Sequence, residues 1–238
     1  MESKNHCLLS IITVVYNGAL VIEKTLESVK IQDHSLFEYI IIDGESTDDT
    51  LKIIRKYNEI IDFWISEPDD GIYDAMNKGI RMARGKSLLF LNAGDYFVGN
   101  VISSLNFKYP ALIPVKYKTY YGKLKNFKLR NYKYSHPYCH QGMIFENKKL
   151  LYNTKFKIAA DFDYYLRHGY KKLPFIETTG YILYDNNGVS TNQYLQKYAE
   201  IGEIIKNYFP SFNYYLYKSK SLIKHLIKTI FKRLNLKY

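Results

Sequence analysis

Ile41-Ile42-Asp43-Gly44-Glu45-Ser46-Thr47-Asp48 and, further along, Leu91-Asn92-Ala93-Gly94-Asp95 follow one pattern. Each is the end of an apolar run that stops abruptly at an acidic or amide side chain beside a glycine. A short continuous apolar run bounded by turn residues reads as a strand buried on both faces, the kind found in parallel sheets. In an open parallel sheet, ligands sit in the crevice beyond the carboxyl ends of the strands. Two such ends about fifty residues apart, with helical spacing between them, mark one crevice whose polar groups suit a nucleotide and a cation.

The flanking sequence extends the same pattern. Residues 8–16 form an apolar strand interrupted by Ser10 and Thr13, with Asn17-Gly18 as its turn. Residues 21–32 have helical spacing, with Ile22, Leu26 and Val29 on one face. Residues 38–43 form the second strand. Thr47 is placed to cap the next helix, with Asp48 and Asp49 in its first turn and Leu51, Ile54 and Tyr57 facing inward. Residues 60–66 read as a third strand and 72–84 as a helix closed by Gly85 at its C-terminal turn. Residues 86–91 are a fourth strand. Strands alternating with helices at this spacing give βαβ units and a mostly parallel sheet. From 115 to 134 the pattern changes: lysines alternate with aromatic and aliphatic residues, as in exposed antiparallel strands or a mobile flap. Helices are expected over 158–170 and 193–209, and a short strand over 181–184.

A hydrophobic content of 47% excludes global disorder. The formal charge of +11 is unevenly placed. Residues 96–145 contain no acid but carry Lys108, Lys116, Lys118, Lys123, Lys125, Lys128, Arg130 and Lys133. No acid follows Glu203 either, although Lys206, Lys218, Lys220, Lys224, Lys228, Lys232, Arg233 and Lys237 do. Such asymmetry implies a polyanionic partner: nucleic acid, anionic lipid or a phosphorylated substrate. Cys7 and Cys139 have no metal-like spacing, which argues against a disulfide framework or zinc site and for a reducing compartment. Nothing approaches the roughly 18–20 apolar residues that span a bilayer.

The chain resembles family 2 glycosyltransferases, which share the GT-A fold. Ser10-Ile11-Ile12-Thr13-Val14-Val15-Tyr16-Asn17 is similar to the family's first strand and turn, and Ile42-Asp43-Gly44-Glu45-Ser46-Thr47-Asp48-Asp49-Thr50 to its second-strand acidic motif. Glu67-Pro68-Asp69-Asp70-Gly71-Ile72-Tyr73-Asp74-Ala75-Met76-Asn77-Lys78-Gly79 resembles a signature of a subgroup that assembles bacterial surface polysaccharides. Cys139-His140-Gln141-Gly142 with Ala159-Ala160-Asp161-Phe162-Asp163 is similar to the acceptor-side half. The resemblance implies an α/β GT-A fold: a mostly parallel Rossmann-like sheet with helices on both faces, followed here by C-terminal amphipathic helices. It divides the chain into a catalytic domain over 1–190, with a donor half at 8–98 and an acceptor half at 99–190, and a basic helical tail over 191–238. The implied activity is inverting transfer of a sugar from a nucleotide-sugar donor, UDP-linked, to a saccharide or polyprenyl-linked acceptor in cell-surface polysaccharide biosynthesis.

This chemistry accounts for the residue types. A divalent cation, Mn²⁺ or Mg²⁺, neutralises charge on the departing nucleotide diphosphate and needs only one or two carboxylates beside the phosphates. A carboxylate base that takes the acceptor's proton is worth about 10²–10⁴-fold. By the resemblance, Asp43 contacts the nucleoside base and Asn17 belongs to the donor set. Asn92-Ala93-Gly94-Asp95 stands at the cation motif but departs from it, leaving Asp95 as its one carboxylate and Asn92 as an amide able to ligate or to bond a hydroxyl. Asp69, Asp74 and Asn77 are implied to touch uridine or sugar, although a Pro-Asp-Asp-Gly turn and a helix-start acid explain Asp69 and Asp74 equally. Met76 stands where relatives carry arginine, so a lysine of 116–133 is the substitute diphosphate contact. Asp161 is the expected general base, with Asp163 its rival. His140 and Gln141 face donor or acceptor.

In the tail, Leu222, Leu226 and Ile230 recur every four residues, as do Lys220, Lys224, Lys228 and Lys232 on another face. Such a helix can lie on an anionic membrane surface, giving a cytoplasmic, peripheral location. A helix packed on the domain with a solvated lysine face is the plainer reading. Three other functions compete. Nucleic-acid binding follows from charge, but the cations avoid the acidic loops and no nucleic-acid module is present, so no nucleic acid is expected. A nucleotidyltransferase needs a basic glycine-rich loop after its first strand, and Asn17-Gly18-Ala19-Leu20 has no basic residue. A non-catalytic nucleotide-sugar binder fits the thinned cation motif, but not the presence of Asp43, Asp95 and Asp161 together.

Overall fold

β1 (Leu9–Val15) and β2 (Phe37–Asp43) are buried along their whole length, as uninterrupted apolar runs require. They pair in parallel from Leu9 opposite Phe37 to Val15 opposite Asp43. On the other side of β1, β4 (Ser87–Phe90) pairs in parallel from Leu9 opposite Ser87 to Ile12 opposite Phe90. These contacts belong to a computed structural model that describes residues 8–105, 110–133, 136–170, 172–185, 193–211 and 213–219. The main sheet has the order β3-β2-β1-β4-β9-β6, where β3 is Phe63–Ser66, β6 is Ala111–Leu112 and β9 is Met143–Glu146. β9 runs antiparallel to β4 and β6. A smaller sheet has the order β5-β10-β7-β8, built from Tyr96–Val98, Tyr181–Tyr184, Val115–Lys118 and Leu124–Asn126. The chain leaves β1 toward β2 and β3, then crosses back to β4. This reversal opens a crevice at the carboxyl ends of β1 and β4.

The two polar residues inside β1 have tertiary roles. Thr13 Oγ1 donates to Leu91 O at 2.7 Å, fixing where β4 ends. Ser10 Oγ donates to Glu38 Oε1 at 2.6 Å and accepts from Gly85 N at 2.9 Å. Burial alone would raise the Glu38 carboxyl. The bonds from Ser10, Arg84 and Gly85 outweigh that cost and hold it below the usual carboxylate range.

α1 (Ile22–Lys30) buries Ile22, Leu26 and Val29 as its spacing predicts. α2 (Thr50–Lys56) starts later than the sequence suggested, and Thr47 does not cap it. Asp48 Oδ1 takes the Thr50 N–H at 3.0 Å, while Thr47 donates its own N–H to Asn17 Oδ1 at 2.8 Å. β3 is shortened because Asn58–Ile60 forms a 3₁₀ turn. α3 (Ile72–Met82) ends before Gly85, which is not a left-handed cap. A Cβ on Gly85 would stand 2.6 Å from Ser10 N, so the glycine serves close passage along β1. Within the lysine-aromatic alternation, Val115–Lys118 and Leu124–Asn126 form the antiparallel β7–β8 hairpin.

α4 (Ala160–Arg167) and α5 (Tyr194–Tyr208) lie against each other and the core. Ile201, Ile204 and Ile205 of α5 are buried. At about 1.5–3 kcal/mol for each buried side chain, they suffice to hold the helix on the core. Among the described residues no helix is long and apolar enough to cross a membrane. The amphipathic pattern from Lys220 to Lys232 lies outside them.

Candidate active site

Seven residues singled out from the sequence line one cleft of about 620 Å³: Asn17, Asp69, Asn92, Asp95, His140, Gln141 and Asp161. It opens at the carboxyl ends of β1 and β4. The loop after β2 is sewn to the turn after β1. Asn17, at φ 48°, donates its N–H to Ser46 Oγ at 2.8 Å, and Gly18 donates to Thr50 Oγ1 at 2.9 Å. Asp48 Oδ2 accepts from Ala19 N at 3.0 Å. Asp69 Oδ1 accepts from Gly71 N at 2.8 Å, and Gly71 sits at φ 106°, a conformation that belongs to glycine.

Asp95 forms the floor and is 3% exposed. Its Oδ1 accepts from Asp185 N at 2.8 Å. Burial raises this carboxyl to about 8; the Asp185 charge adds to the rise, and bonds from Asp185 N and Gln141 oppose it. Asn92 Oδ1 is buried beside it with no hydrogen-bond partner among the described atoms. A buried acceptor left open in a polar cleft is suited to a ligand hydroxyl or a cation.

Asp161 also lines the cleft, in the first turn of α4, with its side chain 27% exposed. Oδ1 accepts from Phe162 N at 2.8 Å. Oδ2 lies 3.9 Å from Nε2 of His136. His136 Nδ1 is 2.6 Å from Tyr138 O, and a carbonyl only accepts, so Nδ1 carries the proton and Nε2 is turned toward Asp161. The segment before Asp161 is fixed from α5: Glu200 accepts from the N–H groups of Lys157, Ile158 and Ala159 at 3.0, 2.8 and 2.9 Å. His140 is buried in an aromatic cluster, bonded through Nε2 to Tyr152 OH at 2.6 Å. Burial lowers it to about 4, so it is neutral near pH 7.

Four other residues singled out from the sequence do not line the cleft. Asp43 is fully buried and accepts from Ser46 N at 2.9 Å and Ser66 Oγ at 2.6 Å, bracing the loops on either side. Asp74 closes the 70–74 turn by accepting from Asp70 N. Asn77 makes a reciprocal pair with the Tyr152 backbone, at 3.0 and 2.6 Å. Asp163 is held by Arg167 Nε at 2.7 Å and Tyr208 OH at 3.0 Å, tying α4 to α5. Lys128, one of the 116–133 lysines offered as a diphosphate contact, lines the cleft, and so do Asp185, His136, Arg130, Lys157 and Lys197, which the sequence does not single out. Asp185 follows the apolar run Tyr181-Ile182-Leu183-Tyr184 just as Asp43 and Asp95 end theirs, so the same strand-end rule identifies it. His136 has no local signature, since its relation to Asp161 is tertiary.

The sequence profile of glycosyl transferase family 2 matches residues 10–165. An uncharacterized glycosyltransferase of Mycobacterium tuberculosis is 40% identical over 92 residues, 38% of this chain and 35% of the relative. A PGL/p-HBAD biosynthesis glycosyltransferase of Mycobacterium bovis is 30% identical over 191 residues, covering 67% of this chain and 69% of that protein. The fold is similar to that of Staphylococcus aureus TarS 1–349 in complex with UDP-GlcNAc, with a TM-score of 0.61, 19% identity and coverage of 83% and 65%. It is also similar to the mannosyltransferase PcManGT of Pyrobaculum calidifontis in complex with GDP-Man and Mn²⁺, with a TM-score of 0.60, 17% identity and coverage of 84% and 63%. The chain thus spans only about a third of the M. tuberculosis relative and under two thirds of each structure.

Proposed function

Because the chain belongs to glycosyl transferase family 2 and has the GT-A fold, we propose that it transfers one sugar, with inversion, from a UDP-linked donor to an acceptor hydroxyl in cell-surface polysaccharide biosynthesis. The observation that carries this reading is that Asp95 and Asp161 line one and the same cleft at the β1/β4 crevice. Asn17, Asp69 and Asn92 line the donor side, with Asp43 acting through Ser46 and Ser66 to shape the loops. Asp161 takes the proton of the acceptor hydroxyl as its oxygen bonds the anomeric carbon. The bond from that carbon to the nucleotide diphosphate breaks, and UDP leaves with the electron pair. His136 stands beside the Asp161 carboxylate and limits where it can go, and Glu200 braces the backbone just before it.

The residues present fit a divalent cation. Asp95, Asp185 and the open Asn92 Oδ1 line the same cleft, and the Asp185 backbone is bonded to Asp95. Among the described residues no group of three or more His, Cys, Asp or Glu side chains could hold a metal alone, so donor phosphate oxygens would complete the shell. Bound there, Mn²⁺ or Mg²⁺ supplies charge neutralisation for the leaving diphosphate. The acceptor is a saccharide or a polyprenyl-linked saccharide at the inner membrane face, which the basic C-terminal tail would touch.

The test is UDP release from a panel of UDP-sugars, with lipid-linked oligosaccharide extract as acceptor. Asp161→Asn should lower turnover by at least about 100-fold while UDP still binds. Equal turnover would remove Asp161 from its role. If no UDP-sugar is consumed, the donor assignment fails.

A further inference from the structure

The β7–β8 hairpin is the most exposed element next to the cleft. Residues 120–126 are all exposed, with Tyr120 at 85% and Tyr121 at 83%. The turn between the strands is well ordered: Thr119 N donates to Lys123 O at 2.9 Å and Gly122 N to Thr119 O at 2.8 Å. The two tyrosine rings meet edge to face at 5.4 Å, so the turn projects a compact aromatic pair into solvent. Leu124 and Leu129 add exposed apolar surface beside it. Around these groups stand Lys118, Lys123, Lys125, Lys128 and Arg130, all exposed, in a stretch, 96–145, whose sequence has no acid.

We propose that this hairpin is a membrane-contact surface that seats its tyrosine tip in the headgroup region of an anionic bilayer. Tyrosine, apolar in its ring and polar at its hydroxyl, favours that region. Lysines flanking an interfacial aromatic are drawn to anionic headgroups. An exposed apolar patch rimmed by one sign of charge is a contact site rather than ordinary surface. The base of the hairpin also reaches the cleft, since Phe127, Lys128 and Arg130 line it. Docking the tip would therefore hold the mouth of the cleft beside the lipid surface. This surface is separate from the basic C-terminal tail and does not depend on the transfer chemistry.

The test places a reporter at the tip, because the tail also carries charge. Trp64 is the sole tryptophan, so Tyr121→Trp in a Trp64→Phe background reports from the turn alone. Vesicles of phosphatidylcholine with phosphatidylglycerol should shift its emission to the blue, and phosphatidylcholine alone should not. Adding Lys123→Glu and Lys125→Glu should lower the vesicle partition coefficient by at least about tenfold at low salt. The melting temperature should stay unchanged, since the substituted hairpin residues are exposed. Co-sedimentation with vesicles but no emission change would overturn the proposal and assign membrane binding to another part of the chain. An emission change with RNA or soluble polysaccharide but not with anionic vesicles would overturn it as well.

Discussion

Nε2 of His136 faces Oδ2 of Asp161 at 3.9 Å, while the other ring nitrogen is held by Tyr138 O. The histidine cannot rotate without losing a 2.6 Å bond, so it limits where the Asp161 carboxylate can go. Tyr73 closes the same corner, with its hydroxyl on Ile158 O at 2.9 Å.

His136→Asn should therefore lower turnover by about tenfold, part of the 10²–10⁴ that a positioned base contributes. UDP affinity should not change, because Asp95 and Asn92 are untouched. Steady-state kinetics set against a UDP titration separates the two effects. A matching fall in UDP affinity would place His136 on the donor instead.

Glu200 gathers three backbone N–H groups just ahead of Asp161. Glu200→Ala leaves all three without that acceptor and should cost about 1–3 kcal/mol of stability. Turnover should fall as well, since the first turn of α4 loses its support. Glu200→Gln keeps one acceptor oxygen and should recover part of both. Thermal unfolding and UDP release on the same samples would check this.

The Glu38 carboxylate joins β1, β2 and the turn after α3 through Ser10, Arg84 and Gly85. Its pKa in the folded protein lies below the unfolded value, so its contribution is present above the unfolded pKa. That contribution is lost as pH falls through the lower, folded value. The wild type should thus lose stability below about pH 4.5 more steeply than Glu38→Gln, which should be about 1–3 kcal/mol weaker near pH 7. Urea unfolding across that range measures the difference.

The readable parts of the fold are those in which local pattern and tertiary role agree. β1, β2 and β4 are apolar runs with a polar group at the carboxyl end, and their order placed Asn17, Asn92 and Asp95 around one crevice. Sequence and structure part where a side chain is taken up by another partner. Thr47 looks like a helix cap, but α2 starts after Asp49, Asp48 takes the Thr50 N–H, and the Thr47 N–H goes to Asn17. Asn77 and Asp163 look like site residues, yet Tyr152 claims one and Arg167 with Tyr208 the other. Tyr152 and Tyr208 lie 75 and 45 residues away, so only folding shows that those pairs meet, whereas the Asp163–Arg167 pair is an i,i+4 contact within α4. Asp185 was readable by the same strand-end rule that found Asp95, whereas His136 was not.

Calorimetric titration of UDP with and without Mn²⁺ asks whether the cleft holds a nucleotide diphosphate with a cation on the Asp95 side. We expect Mn²⁺ to tighten UDP binding to the wild type by at least about tenfold, a gain of about 1.4 kcal/mol. Asp95→Asn should remove that gain, and Asp161→Asn should keep it. UDP binding of equal strength in all three proteins, with no effect of Mn²⁺, would contradict the account.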